Sequence, residues 1–197
     1  MEEVIITDCM KNGYSDEATA IQILLNDLYM LEILIESSDY TIEFTLKRSY
    51  TRAVFASVEF YISLMKRSVL ALYHDKACNL TPLEICTLKE NIPKINKKGE
   101  VVSADKFFPS KNNVRFTFLI YSKKFESKCP DFGEEGWNLF QKAIDIRNNQ
   151  THPKSTDDLK LTDESFATLQ AAKQWFMHSA KCVFTTENID HRDYLYK

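Results

Sequence analysis

The stretch that decides the fold is SDEATAIQILLNDLYMLEILIESSD, residues 15–39. Ser15-Asp16-Glu17 reads as a helix start, a capping side chain followed by acids that favour the positive end of the helix dipole. Ile21, Leu24, Leu25, Leu28, Leu31 and Ile35 then recur at helical spacing until Ser37-Ser38-Asp39 breaks the pattern. Immediately beyond, the spacing predicts a second, longer helix from about Ile42 to about Leu72, with Val54, Val58, Tyr61, Ile62, Met65, Val69 and Leu72 as its apolar stripe. Two amphipathic helices joined by a short polar turn make an antiparallel hairpin, which sets the expectation of an all-α chain.

The rest of the sequence extends that pattern. Thr81-Pro82-Leu83-Glu84 combines a capping box with proline at the first helical position, and Pro93 ends the short helix that follows. Residues 94–112 show no period and read as an irregular basic excursion. Residues 114–125 permit a strand by their β-branched and aromatic content. A helix capped by Asn112 or Asn113 is favoured, because no partner strand is evident elsewhere. Pro130, Gly133 and Gly136 mark the next boundary. A helix from Trp137 to about Asn149 follows. After Thr162-Asp163-Glu164 comes a last helix to about Phe184, burying Phe166, Leu169, Ala172, Phe176, Ala180 and Val183. The expected architecture is an up-and-down helical bundle with one elaborated basic connection around 94–112. It forms a single domain over 1–197, with its core at about 15–185 and a C-terminal tail at 186–197.

Composition agrees. With 4 Gly and 5 Pro in 197 residues the chain is poor in turn formers, as a helical protein can be. Its net charge of −3 argues against coating nucleic acid or anionic membrane by bulk charge. The charge is uneven, however: Lys94 to Lys128 holds nine basic and three acidic residues, a local +6 that leaves −9 elsewhere. A solvated lysine-rich loop and a polyanion contact surface both fit that excess. Five scattered cysteines without a C-x-x-C pair suit free thiols in a reducing compartment. The acidic N-terminus lacks the basic and apolar regions of a signal peptide, and no unbroken apolar run reaches the length of a membrane span. A cytoplasmic protein without membrane contact is the expectation.

One segment carries chemistry. On a wheel of about 100° per residue, Asn138, Gln141, Lys142 and Asp145 form a polar sector of the helix after Gly136. Arg147 falls among the apolar residues opposite, near Phe140 and Ala143. An unpaired interior guanidinium costs several kcal/mol by rough estimate, so either a carboxylate meets it or the helix end opens onto a cleft or an interface. Glu59 borders the apolar stripe of the long helix, in line with Arg52 and Lys66. It is open to two readings, a flank charge or the partner of Arg147. His152 would lie about 140° from Arg147 on a continuous helix. Pro153 disfavours helical backbone at His152, so the helix should end there and the chain can fold back to set the imidazole beside the guanidinium. Asn148, Asn149 and Thr151 add polar atoms at the same terminus. A guanidinium offers a planar fork for phosphate oxygens, and an imidazole moves a proton near neutral pH. An ordinary C-cap with Arg147 in an ion pair fits the same spacing.

Gly136-Trp137-x-x-Phe140, Ile144-x-Ile146-Arg147-Asn148 and Thr151-His152-Pro153-Lys154-Ser155, followed by Asp158-Leu159, together resemble the HEPN superfamily. These are small helical-bundle proteins marked by an Arg, often followed by Asn, and a His four to six residues on. The resemblance implies a metal-independent endoribonuclease, often a toxin or defence component, dimeric with motif residues facing each other and open to a neutralising protein partner. It implies catalytic roles for Arg147, Asn148 and His152. His152 would move the proton of a ribose 2′-hydroxyl, Arg147 would stabilise charge on the phosphoryl group, and Asn148 would orient the phosphate or the imidazole. Glu59, Thr151 and Lys154 would support them. Neither metal nor cofactor is needed, and the 2′-hydroxyl makes RNA rather than DNA the target. The same resemblance is compatible with a non-catalytic module that binds nucleotide, RNA or a protein partner. His74, Cys78 and Cys86 lack a fourth ligand at zinc spacing, and no phosphate-binding glycine loop is present.

Overall fold

The structure, a computed structural model, describes residues 16–184, and of residues 40 and 41 the backbone alone. The Ser15 cap, Cys9 and the tail at 186–197 lie outside the described residues. The chain is mainly helical: α1 (Asp16–Ser37), α2 (Tyr40–His74), α3 (Pro82–Leu88), α4 (Ser110–Phe125), α5 (Glu135–Thr151) and α6 (Asp163–Phe184). A hairpin of β1 (Asn91–Ile95) and β2 (Val101–Asp105) and a 3-10 turn at Asp157–Leu159 complete it. The described residues fall into two compact units, 16–61 with 133–178, and 62–132 with 179–184. The sequence gives no sign of this division, because α2 and α6 each run unbroken through a change of unit and leave no linker to see.

In the first unit, Leu28 and Ile35 of α1 are buried, as are Tyr50, Val54, Phe55 and Val58 of α2 and Leu169, Ala172 and Phe176 of α6. Phe140 of α5 is the hub. It stacks on Trp137 at 5.7 Å and on Phe176 at 5.6 Å between ring centroids, and meets Phe55 at 6.2 Å. Aromatic rings at these spacings contribute beyond their buried area. Gly136 makes this packing possible, since a Cβ there would stand 2.1 Å from Cδ1 of Trp175. Polar ties cross the same unit. Tyr50 donates to Glu32 at 2.6 Å, and Lys173 reaches the same carboxylate oxygen at 2.5 Å. The buried Lys47 pairs with Glu43 and Asp163.

An 18-residue window of α1 is apolar enough to cross a membrane by length and composition, with mean hydropathy 1.5 and 11% of it buried. Counting unbroken apolar runs does not reveal this, because Asn26, Asp27 and Glu32 interrupt them. Glu32 is held by two partners of its own unit, while Ile23, Met30 and Leu34 are exposed.

The second unit packs Met65, Val69 and Leu72 of α2 with Phe118, Tyr121 and Phe125 of α4 and Val183 of α6. Tyr121 stacks on Phe125 at 4.3 Å and meets Phe184 edge-on at 5.3 Å. Residues 110–125 are helical, as favoured, though the cap position is Pro109 rather than an asparagine. The irregular connection expected over 94–112 is instead largely the β hairpin. Its turn is fixed by Asn96, whose side-chain oxygen accepts from the N–H groups of Lys98 (2.9 Å) and Glu100 (3.0 Å), and by Gly99 at φ 79°. The hairpin is tied down at its base. Buried Lys66 donates to Glu90 at 2.5 Å and to Asn113 at 2.6 Å, Asn113 donates to Glu90 at 3.0 Å, and the Glu90 carbonyl accepts from Lys106 at 2.7 Å.

Candidate functional site

The last turn of α5 builds the site. The helix ends at Thr151, and His152 caps it at φ −129°, ψ 61°, outside the helical region, as a residue before proline should be. Its N–H still closes on the Asn148 carbonyl at 2.9 Å. The chain then turns back under the control of Asp158. One carboxylate oxygen of Asp158 accepts from the N–H groups of Lys154 (2.8 Å) and Ser155 (2.9 Å) and from the Ser155 hydroxyl (3.2 Å). Those two backbone donors, with help from the Ser155 hydroxyl and the Lys154 charge, hold the Asp158 carboxyl below its ordinary value.

Arg147 is positioned from three sides. Its Nη2 donates to Glu59 of α2 at 2.7 Å, its Nη1 to the Asn148 side-chain oxygen at 3.2 Å, and its guanidinium carbon lies 5.5 Å from the centre of the Phe55 ring. The two readings of Glu59 merge: it is the partner of Arg147, yet its side chain is 66% exposed, and that of Arg147 is 30% exposed. The guanidinium is thus oriented without being sealed. A pair this open contributes up to about 1 kcal/mol. Arg147 opens onto a small pocket of about 160 Å³ lined by Thr51, Arg52, Arg147, Gln150 and Thr151.

The structure brings Arg147, Asn148 and Glu59 into contact and sets Thr151 in the pocket wall, its hydroxyl donating to the Arg147 carbonyl at 2.8 Å. No hydrogen bond joins the His152 side chain to Arg147. The imidazole is exposed, does not line the pocket, and makes no hydrogen bond or ion pair among the described residues. The fold-back that proline permits does occur, but Glu59 and Phe55 draw the guanidinium toward α2. Lys154 takes part through its backbone N–H in the Asp158 turn. Three residues escaped the sequence reading as participants: Arg52, Gln150 and Asp158. Arg52 carried a signal, seven residues before Glu59 and so on the same face of α2. Gln150, three residues after Arg147, carried one only by spacing.

No family model, curated protein or solved structure matches the chain significantly. Other candidates assemble nothing. His74, Cys78 and Cys86 form no group of three or more potential metal ligands among the described residues, and Cys78, Cys86, Cys129 and Cys182 are free thiols.

Proposed function

We propose that the chain is a HEPN-like protein that acts on RNA, cleaving it without a metal by attack of a ribose 2′-hydroxyl. The supporting observation is Arg147: a guanidinium in an otherwise apolar helix sector, oriented by Glu59, Asn148 and Phe55, and open to solvent one turn before an exposed, unpartnered histidine. Arg147 supplies preoriented donors where charge develops on a phosphoryl group. His152, whose side chain has no partner among the described residues, accepts the 2′-hydroxyl proton. The 2′ oxygen then bonds to phosphorus and the bond to the 5′ oxygen breaks. The leaving oxygen takes up a proton, leaving a 2′,3′-cyclic phosphate and a 5′-hydroxyl. Asn148 ties Arg147 to the end of the helix that carries His152.

His152 is not among the residues that line the Arg147 pocket, so in this reading the working site is completed by RNA bridging the two groups or by a second copy presenting its own motif. A homodimer, helical-bundle topology of HEPN type and a cytoplasmic toxin or defence role belong to this same proposal. The second reading, a non-catalytic module binding RNA, nucleotide or a protein, draws on the absence of His152 from the described lining of that pocket.

The deciding experiment is incubation of bulk RNA with purified protein in EDTA, comparing wild type with His152→Ala and Arg147→Ala. Cleavage with cyclic phosphate ends that both substitutions abolish is the expected result. No cleavage, or cleavage that survives both changes, removes the catalytic reading and leaves the binding module.

A further inference from the structure

The pocket beside Arg147 holds more cationic and donor capacity than the cleavage step uses. No carboxylate is among the described residues that line it, and Glu59 engages one nitrogen of the Arg147 guanidinium. Thr51 and Thr151 have spent their hydroxyl hydrogens on the carbonyls of Lys47 (3.0 Å) and Arg147 (2.8 Å). The donors left are Arg52, the unspent N–H groups of Arg147, and Gln150. Arg52 is exposed on α2 and has no hydrogen bond or ion pair among the described residues. Nε2 of Gln150 is shut off from solvent with no acceptor in reach. Buried amide donors in folded proteins nearly always have a partner, so an orphan on a residue that lines a pocket together with two arginines points to an acceptor that the amide meets when its side chain turns into the pocket. The cavity, about 160 Å³, has room for several waters. That suits a tetrahedral oxyanion with part of its hydration shell.

We infer that Arg52 and Gln150 form a subsite for a backbone phosphate of the RNA strand adjacent to the one Arg147 attends during cleavage. The oxyanion site stands on the pocket alone; its assignment to RNA rests on the function proposed above. Arg52 supplies a fork of N–H donors from α2 and Gln150 an amide donor from α5, and the described wall holds no carboxylate that would repel an anion. Neither residue touches the reacting atoms. Their task is to fix the register of the strand.

Two measurements on the full chain test this. Inorganic phosphate titrated into ¹⁵N-labelled protein should shift the Gln150 side-chain amide signals saturably, and about tenfold more phosphate should be needed in Arg52→Ala. In parallel, a fluorescein-labelled 12-nucleotide RNA is bound to His152→Ala, which leaves it uncut, with and without Arg52→Ala, between 50 and 200 mM salt. Removing one phosphate contact should lower the slope of log affinity against log salt by about 0.7 and weaken binding about tenfold. Arg52→Lys should restore the slope and only part of the affinity. Gln150 signals that ignore phosphate, or an Arg52→Ala protein with unchanged affinity and slope, would overturn the subsite. Cleavage intact with the subsite absent leaves the ribonuclease reading standing. Phosphate binding by a protein that neither binds nor cuts RNA overturns the RNA assignment and points to a free phosphate-bearing ligand.

Discussion

Replacing Gln150 by leucine separates function from stability at this site. If Nε2 of Gln150 is orphaned in the free protein, the fold carries a desolvation cost of about 1–3 kcal/mol there. Leucine has similar volume and equal or better helix propensity, and it needs no partner. The substitution should therefore stabilise the protein by roughly 1–2 kcal/mol. For a chain of this size each kcal/mol moves Tm by about 2–4 °C, so a rise of roughly 2–8 °C is expected. The assay is thermal unfolding followed by tryptophan fluorescence. The chain has 2 tryptophans, Trp137 and Trp175, and both lie in the unit that contains Gln150. The same variant should lose most of its affinity for phosphate. A group that costs stability in the free protein and strengthens binding when occupied is what a ligand site leaves behind. A Tm equal to or below that of wild type, with phosphate binding intact, would refute the reasoning.

Three further perturbations follow from the same geometry. Glu59→Gln should change stability by less than about 1 kcal/mol, since the ion pair is open to solvent. It should nonetheless slow RNA cleavage by about tenfold to a hundredfold through misplacement of Arg147, with kcat falling more than KM in single- and multiple-turnover assays. Gly136→Ala places a Cβ where Trp175 stands; an overpacking cost of about 1–3 kcal/mol should lower Tm and shift tryptophan emission to the red. Burial alone would raise the Glu90 pKa, but its ion pair and hydrogen bond with Lys66 and the hydrogen bond from Asn113 outweigh this and leave it lowered. A carboxyl lowered in the folded state contributes stability at neutral pH that is lost as pH falls through its folded value. Urea unfolding should thus show stability falling below about pH 4.5, with a shallower fall in Glu90→Gln; parallel pH profiles for the two proteins would contradict this.

The helices were legible because burial repeats with the helical period. Val54, Val58, Ile62, Met65, Val69 and Leu72 of α2 are buried as their spacing indicated, while Tyr61 of the same stripe is half-buried. The hairpin was not legible for the converse reason. Most of β1 and β2 is exposed on both faces, so no alternation marks them, and Pro93 sits inside β1 opposite Ser103, where a proline argues against a strand. At the site, Pro153 told correctly where α5 ends, but side-chain direction at His152 depends on local torsions that residue spacing does not encode. Spacing likewise placed Arg52 and Glu59 on one face of α2 without telling that Glu59 takes the Arg147 guanidinium while Arg52 has no partner among the described residues. The orphaned amide of Gln150 was invisible in principle, since satisfaction of a buried donor is a property of packing.

Stability alone does not account for arginine at position 147. Its neighbours on α5 include Phe140, Ala143 and Ile144, all buried. An apolar side chain of similar length would pack against Phe55 without a charge to desolvate, and such replacements are commonly neutral or stabilising. The ion pair that Arg147 makes instead is two-thirds exposed on the Glu59 side and contributes up to about 1 kcal/mol. Glu59 offsets the charge of Arg147 but leaves that of Arg52, which has no ion pair among the described residues. Two arginines that line one pocket raise its positive potential, which favours an anion coming to rest there. The same arrangement explains why Glu59 is exposed rather than buried: it fixes the plane of Arg147 while leaving the other edge of the guanidinium to an incoming phosphate, a division of donors that a fully buried pair would forbid.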